Sequence, residues 1–220
     1  SEMIGYYNVS VILTYIGLLS SLFGMANLSV ARSNPWAIKI AFLCLLFSGL
    51  CDMFDGKIAR RTNRSPEAKE FGIQIDSLCD LICFGVYPAF IVTTISSKHW
   101  ISMIAGALFV LGGVIRLAYF NVVENERQHQ TSENRKYYQG LPITSSALIF
   151  PFIYAVEGLV NRYKPKIPIQ IPSMNLIYTI IMFLVAFLFV WDIKVKKPGL
   201  KETVVMGILG LLIVVGILIR

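Results

Sequence analysis

The stretch Asp52–Arg61, DMFDGKIARR, closes an apolar run, and a second acidic stretch, Asp76–Asp80, DSLCD, begins fifteen residues after Arg61. Around them the chain is apolar. Of its 220 residues 55% are hydrophobic and 15% charged, and the mean hydropathy is +0.65, too apolar for a soluble domain of this size. A bilayer core about 30 Å thick needs about 20 apolar residues per helix. Seven windows of that kind are present, at 9–31, 36–56, 71–97, 100–122, 141–160, 172–192 and 202–219. The expected fold is therefore all-α: a polytopic membrane helix bundle of six to eight transmembrane helices, forming one membrane domain over 1–220. Ser1 and Glu2, ahead of Met3, read as residues left over from expression. The first window is too long for a signal-peptide core and is expected to be a span.

Basic residues near helix ends are retained on the cytoplasmic side. Lys57, Arg60, Arg61, Arg64 and Lys69 fall between windows two and three, Arg127, Arg135 and Lys136 between four and five, and Lys194, Lys196, Lys197 and Lys201 between six and seven. The opposite loops hold Arg32, Lys98, Arg162, Lys164 and Lys166. The bias favours a cytoplasmic N-terminus and puts both acidic stretches at the cytoplasmic face of an integral cell-membrane protein. A net charge of +7 on such a chain suits membrane lipids with anionic headgroups. Nucleic acid is not expected as a partner, because the basic residues are strung along membrane edges.

If the second span continues as helix, Asp52 and Asp55, three apart, share a face, and so do Asp76 and Asp80, four apart. A short connection makes the two helices antiparallel, so the pairs can converge. Four converging carboxylates repel one another unless cations fill the space between them. Hard divalent ions with oxygen ligands fit: Mg2+ or Mn2+, with Ca2+ also suitable, whereas zinc would bring His or Cys ligands. Two such ions could clamp a pyrophosphate and neutralise charge as a phosphoryl bond breaks. A single membrane-edge Asp is ordinarily solvated; four at helical spacing beside Gly56 and Arg60 point to a site. Gly56 leaves the backbone open to a ligand, and Ala59 and Arg60 offer a small and then a cationic surface. Cys44, Cys51, Cys79 and Cys83 lack CxxC spacing and read as small packing residues. His99 and His129 have no ligand spacing.

At this point DMFDGKIAR and GIQIDSLCD resemble the signature of the CDP-alcohol phosphotransferases, D-x2-D-G-x2-A-R followed by G-x3-D-x3-D, matched at Asp52, Asp55, Gly56, Ala59, Arg60, Gly72, Asp76 and Asp80. The eleven residues Arg61–Phe71 between the two halves exceed the family's usual gap and are expected to lengthen the turn. The resemblance implies a membrane enzyme with that family's fold that joins a CDP-linked lipid to an alcohol and releases CMP. It implies Asp52, Asp55 and Asp76 as principal metal ligands, and Asp80 as completing the metal site and acting as the catalytic general base. It implies a pocket for the CDP moiety at Asp52, Gly56, Ala59, Arg60 and Gly72, and a homodimer.

Three more stretches resemble the phosphatidylserine synthase branch: DSLCDLICFGVYPA at 76–89, RLAYFN at 116–121 and YQGLP at 138–142. Serine is the implied acceptor and CDP-diacylglycerol the implied donor. Cys79, Tyr87 and Tyr119 depart from that branch's usual residues. Arg116, Asn121, Arg135 and Lys136 are the candidate contacts for the serine carboxylate or a lipid phosphate; a guanidinium suits that role, and helix-end snorkelling is its plain alternative. The polar segment 124–139 is expected to be a mobile loop beside the site, and 161–172 a stiff outer loop. Glycerol phosphate or inositol phosphate are the rival acceptors and would call for more cationic residues. A cation transporter is the rival from another class, although its charges would more often sit at mid-bilayer within internal repeats.

Overall fold

A computed structural model describes residues 4–31, 33–96, 99–130, 137–163 and 173–220, with 128–130 described by backbone alone. Seven helical rods follow one another where the seven apolar windows lie. Helix α1 is Val9–Val30, α2 Pro35–Arg61, α3 Pro66–Asp80, α4 Tyr87–Ile95, α5 Trp100–Gln130, α6 Ser146–Tyr163, α7 Met174–Val190 and α8 Leu200–Ile219. Helices α3 and α4 are one continuous rod, joined by a π-helical segment at Leu81–Val86. Six of the rods are long and apolar enough to cross a bilayer, which makes this an integral membrane protein, and α7 is a shorter apolar helix. At 1.5 Å per residue, the 17 residues of α7 span about 25 Å.

The helix starts are set locally. Asn8 Oδ1 accepts from Val11 N–H at 3.1 Å, Asn34 Oδ1 from Trp36 N–H at 3.0 Å, and Ser65 Oγ from Ala68 N–H at 3.2 Å. Pro35 and Pro66 stand at first helical positions, where a missing N–H costs nothing. The extra residues between the two halves of the signature do not make a long turn, as the sequence led us to expect. Helix α2 runs on through Arg61 and α3 begins at Pro66, so most of the added length is helix and only 62–65 turn.

The α1–α2 pair, the α5–α7 pair and the α6–α8 pair are the closest-packed, and α2 ties the first to the third through α6. The core between them is made by Leu28, Phe42, Leu45, Phe84, Tyr87, Phe109, Phe150, Tyr178 and Met182, among others. Tyr87, one of the departures from the branch pattern, is fully buried and donates its hydroxyl to Ala41 O at 2.6 Å. A Cβ on Gly24 would lie 1.9 Å from that hydroxyl, so the larger ring at 87 is matched by the absence of a side chain on α1. Helix α8 packs through Ile213, Gly216 and Ile217 and leaves its other faces exposed, as an apolar helix can in lipid.

Pro88 explains the π-helical segment. Proline has no N–H to give the carbonyl four residues back, and its ring crowds that carbonyl. The carbonyl is that of Phe84, and Ser146 Oγ, at the start of α6, lies 2.8 Å from it. The segment directly follows Asp80 and is itself buried at Cys83, Phe84 and Gly85.

The polar segment after α5 is more ordered than expected. Residues 124–130 continue α5, and Tyr137–Gln139 form a strand, β1. It pairs antiparallel with β2, Lys194–Lys196, in the register Tyr137↔Lys196, Tyr138↔Val195 and Gln139↔Lys194. The ribbon joins the α5–α6 connection to the α7–α8 connection. The proposed outer-loop residues 164–172 lie outside the described residues.

Candidate active site

Helical spacing brings the carboxylates together as the sequence suggests, with one refinement. One oxygen from each of Asp52, Asp76 and Asp80 lies within 4.8 Å of the others. Two oxygens on opposite sides of a Mg2+ stand about 4.2 Å apart, and of a Ca2+ about 4.8 Å. Three hard oxygen donors at that separation, with no histidine or thiolate among them, fit a divalent cation. Asp55 lines the same cleft together with Thr14, Ser48 and Asp80 but does not join that group of three. Its side chain is buried, and Thr14 Oγ1, from α1, donates to Oδ2 at 2.6 Å. Ser10 Oγ, one turn earlier on α1, donates to the Asp55 backbone carbonyl at 3.1 Å. Helix α1 therefore fixes α2 at the acidic turn, a contribution that sequence spacing does not reveal.

The hydroxyls that line the inner end of the cleft bond one another. Ser48 Oγ lies 2.8 Å from both Ser21 Oγ and the Gly17 carbonyl. Cys51, Cys79 and Cys83 are buried free thiols on the same walls, so they act as packing residues beside the carboxylates. Cys79 and Cys83 bring no histidine with them, and the group of three donors contains neither. None of the four aspartates forms an ion pair among the described residues. Such a cluster carries an electrostatic demand that the protein itself leaves open.

The two glycines of the signature, one in each half, face basic groups. An added Cβ at Gly56 would lie 3.5 Å from Arg60 Nη1, and one at Gly72 would lie 2.9 Å from Arg64 Nη1. Arg64 Nη2 donates to Ala59 O at 3.1 Å. Gly56, Ala59, Arg60 and Gly72, the candidate residues for a CDP moiety, thus lie around the α2–α3 turn.

The later motifs fold back onto this hairpin. Asn121, which closes RLAYFN, donates from Nδ2 to Ser77 Oγ at 2.8 Å, so it is tied to the residue beside Asp76. Arg116 is buried and donates to the Gln139 carbonyl in β1. The next residue, Gly140 of YQGLP, has φ +73°, which favours glycine. Its N–H donates to Ile193 O at 2.7 Å, and a Cβ there would come within 2.7 Å of Arg116 Nη1. The structure therefore brings Arg116, Asn121 and the YQGLP turn to the same end of the bundle as the aspartates. Arg135 and Lys136 lie outside the described residues.

Fold and site together define a polytopic helical membrane protein with a carboxylate cluster suited to a cation beside a basic, small-residue turn. The chain belongs to the CDP-alcohol phosphatidyltransferase family, whose sequence model matches residues 7–218. It is 36% identical over 130 residues to the CDP-diacylglycerol–serine O-phosphatidyltransferase of Saccharomyces cerevisiae, a match covering 58% of this chain and 46% of that one. It is 34% identical over 128 residues to the archaetidylserine synthase of Methanothermobacter thermautotrophicus, covering 58% and 51%. A CDP-diacylglycerol–serine O-phosphatidyltransferase of Helicobacter pylori is 35% identical over 146 residues, covering 66% and 56%. The matches span about half the length of these relatives.

Proposed function

We propose that this protein is a metal-dependent CDP-diacylglycerol–serine O-phosphatidyltransferase, which transfers a phosphatidyl group from CDP-diacylglycerol to L-serine and yields phosphatidylserine and CMP for phospholipid biosynthesis. The observation that carries the reading is the gathering of Asp52, Asp76 and Asp80 by a signature whose neighbours, Ser77 and Asn121, bind the serine-branch motifs to it. The names of the relatives support the same donor and acceptor.

In this reading Asp52, Asp55 and Asp76 hold the ions, with Asp80 completing the set. Two Mg2+ or Mn2+ ions, or Ca2+, would neutralise the pyrophosphate and the charge that develops at phosphorus. Gly56, Ala59, Arg60 and Gly72 receive the CDP moiety with Asp52. Asp80 accepts the proton of the serine hydroxyl as its oxygen attacks the phosphorus bearing diacylglycerol. The bond from that phosphorus to the bridging oxygen breaks, and CMP leaves with that oxygen. Single displacement inverts the configuration at phosphorus. Arg116, Asn121, Arg135 and Lys136 are assigned to the serine carboxylate or lipid phosphate, Arg116 from its seat on Gln139 and Asn121 from its seat on Ser77.

Lys57, Arg60 and Arg61 at the α2–α3 turn and Lys194, Lys196, Lys197 and Lys201 at the α7–α8 connection support a site facing the cytoplasm. The 1–220 stretch serves as one catalytic domain, and two copies associate as a homodimer. The test is CMP release by purified protein in detergent from CDP-diacylglycerol with serine, glycerol phosphate, inositol phosphate or no acceptor, with and without manganese. Serine- and metal-dependent release is expected. Release with another acceptor overturns the substrate, and no release under any condition returns the carboxylates to the transporter reading.

A further inference from the structure

The α2–α3 turn carries a second guanidinium that the family signature does not contain. Arg60, the signature arginine, lies over Gly56, and Arg64, four residues on, lies over Gly72: an added Cβ would meet Nη1 of the first at 3.5 Å and of the second at 2.9 Å. The two glycines of the signature are therefore each faced by an arginine, one belonging to the pattern and one not. Among the described residues Arg64 is held there by a single hydrogen bond, from Nη2 to the Ala59 carbonyl at 3.1 Å. Its Nε–H is buried with no hydrogen-bond partner among the described residues.

A buried guanidinium N–H without an acceptor is costly, and the cost is relieved when an anionic or carbonyl oxygen reaches it. Glu67, Lys69 and Glu70, the charged residues that follow on α3, are exposed and make no ion pair with Arg64 among the described residues. The two contacts of Arg64 that the structure defines, its bond to the Ala59 carbonyl and its approach to Gly72, are both with residues assigned to the CDP moiety. Arg64 stands in the short turn between the end of α2 at Arg61 and the start of α3 at Pro66, within the stretch that exceeds the usual gap.

We infer that Arg64 is a substrate-binding residue, pairing with Arg60 to hold the nucleotide diphosphate portion of the donor. A planar fork is suited to this, since it can give two parallel N–H donors to phosphate oxygens while a lysine gives a point charge. The inference rests on the nucleotide reading of the site. It assigns Arg64 to donor binding and gives it no part in serine binding or proton transfer.

The experiment is calorimetric titration of CMP, in the presence of manganese, into detergent-purified wild type, Arg64→Ala and Arg64→Lys, alongside KM values for CDP-diacylglycerol and for serine. Arg64→Ala should weaken CMP binding and raise the KM for CDP-diacylglycerol by about tenfold or more, with Arg64→Lys intermediate. The KM for serine and the nucleotide-free melting temperature should stay at their wild-type values. Wild-type CMP affinity and donor KM in Arg64→Ala would overturn the inference and leave the transferase reading standing, as would a rise in serine KM equal to that for the donor. A wild-type protein that neither binds CMP nor releases it from CDP-diacylglycerol would overturn both.

Discussion

The α2–α3 hairpin and the corner formed by α5, β1 and β2 touch through the Ser77–Asn121 pair, yet they treat their polar groups in opposite ways. In the hairpin, Asp52, Asp76 and Asp80 crowd one another and form no ion pair among the described residues. In the corner, polar groups meet protein partners: Arg116 gives to the Gln139 carbonyl, Gly140 N–H to Ile193 O at 2.7 Å, and the two strands pair residue for residue. Like charges held together without a counter-charge are unfavourable in the free protein and favourable once a cation arrives. The unpaired carboxylates of the hairpin support the cation site proposed there, while the polar groups of the corner are engaged within the protein. Asp55 is the exception inside the hairpin, since Thr14 already serves it.

The largest effect that would break this contrast is at Asp80. Asp80→Asn should lower serine-dependent CMP release by about 1,000-fold, within the range for loss of a general base and a metal ligand, while the melting temperature stays level or rises because one repelling charge is gone. A fall in melting temperature with activity retained would make the hairpin a structural cluster like the corner. Chelation by EDTA should likewise remove release from the wild type, with recovery on adding manganese.

Next in size is Gly140→Val in the corner. A β-branched residue at φ +73° costs about 1–3 kcal/mol, and its Cβ would press on Arg116. Thermal unfolding should shift down, and activity should fall further than the folded fraction does, because Arg116 is displaced from the seat assigned to it in substrate binding. Asn121→Ala comes third. It removes the donor to Ser77, worth about 1 kcal/mol, and should lower CMP release about tenfold while leaving the KM for CDP-diacylglycerol unchanged, because Ser77 sits beside Asp76 and not in the nucleotide pocket. The smallest effect lies outside both regions: Tyr87→Phe loses the bond to Ala41 O, about 1 kcal/mol of stability, and should keep full activity in the same assay.

Much of the hairpin is legible in the sequence because its information is local. Three- and four-residue spacings on a helix put Asp52 with Asp55 and Asp76 with Asp80, and the apolar windows locate all seven rods. Pro88 was also a readable signal, since a proline deep in an apolar window must release a carbonyl. What spacing could not supply is which carboxylate is already engaged: Thr14 is 41 residues from Asp55. The corner is nearly silent in sequence. Strands of three residues carry no usable alternation, their pairing spans two separate connections, and the Ser77–Asn121 contact joins residues 44 apart. For the same reason the segment after Glu124 reads as an unstructured polar run, although its first part is helix and its last part a strand.

The β1–β2 ribbon also sets an order of assembly. Gln139 and its partner Lys194 are 55 positions apart in the chain, and the stretch between them includes all of α6 and α7. During synthesis the hairpin, α5 and Arg116 are made long before the strand that completes the corner. The nascent chain therefore carries Asp52, Asp55, Asp76 and Asp80 through the synthesis of α6 and α7 before the second strand of the ribbon is made.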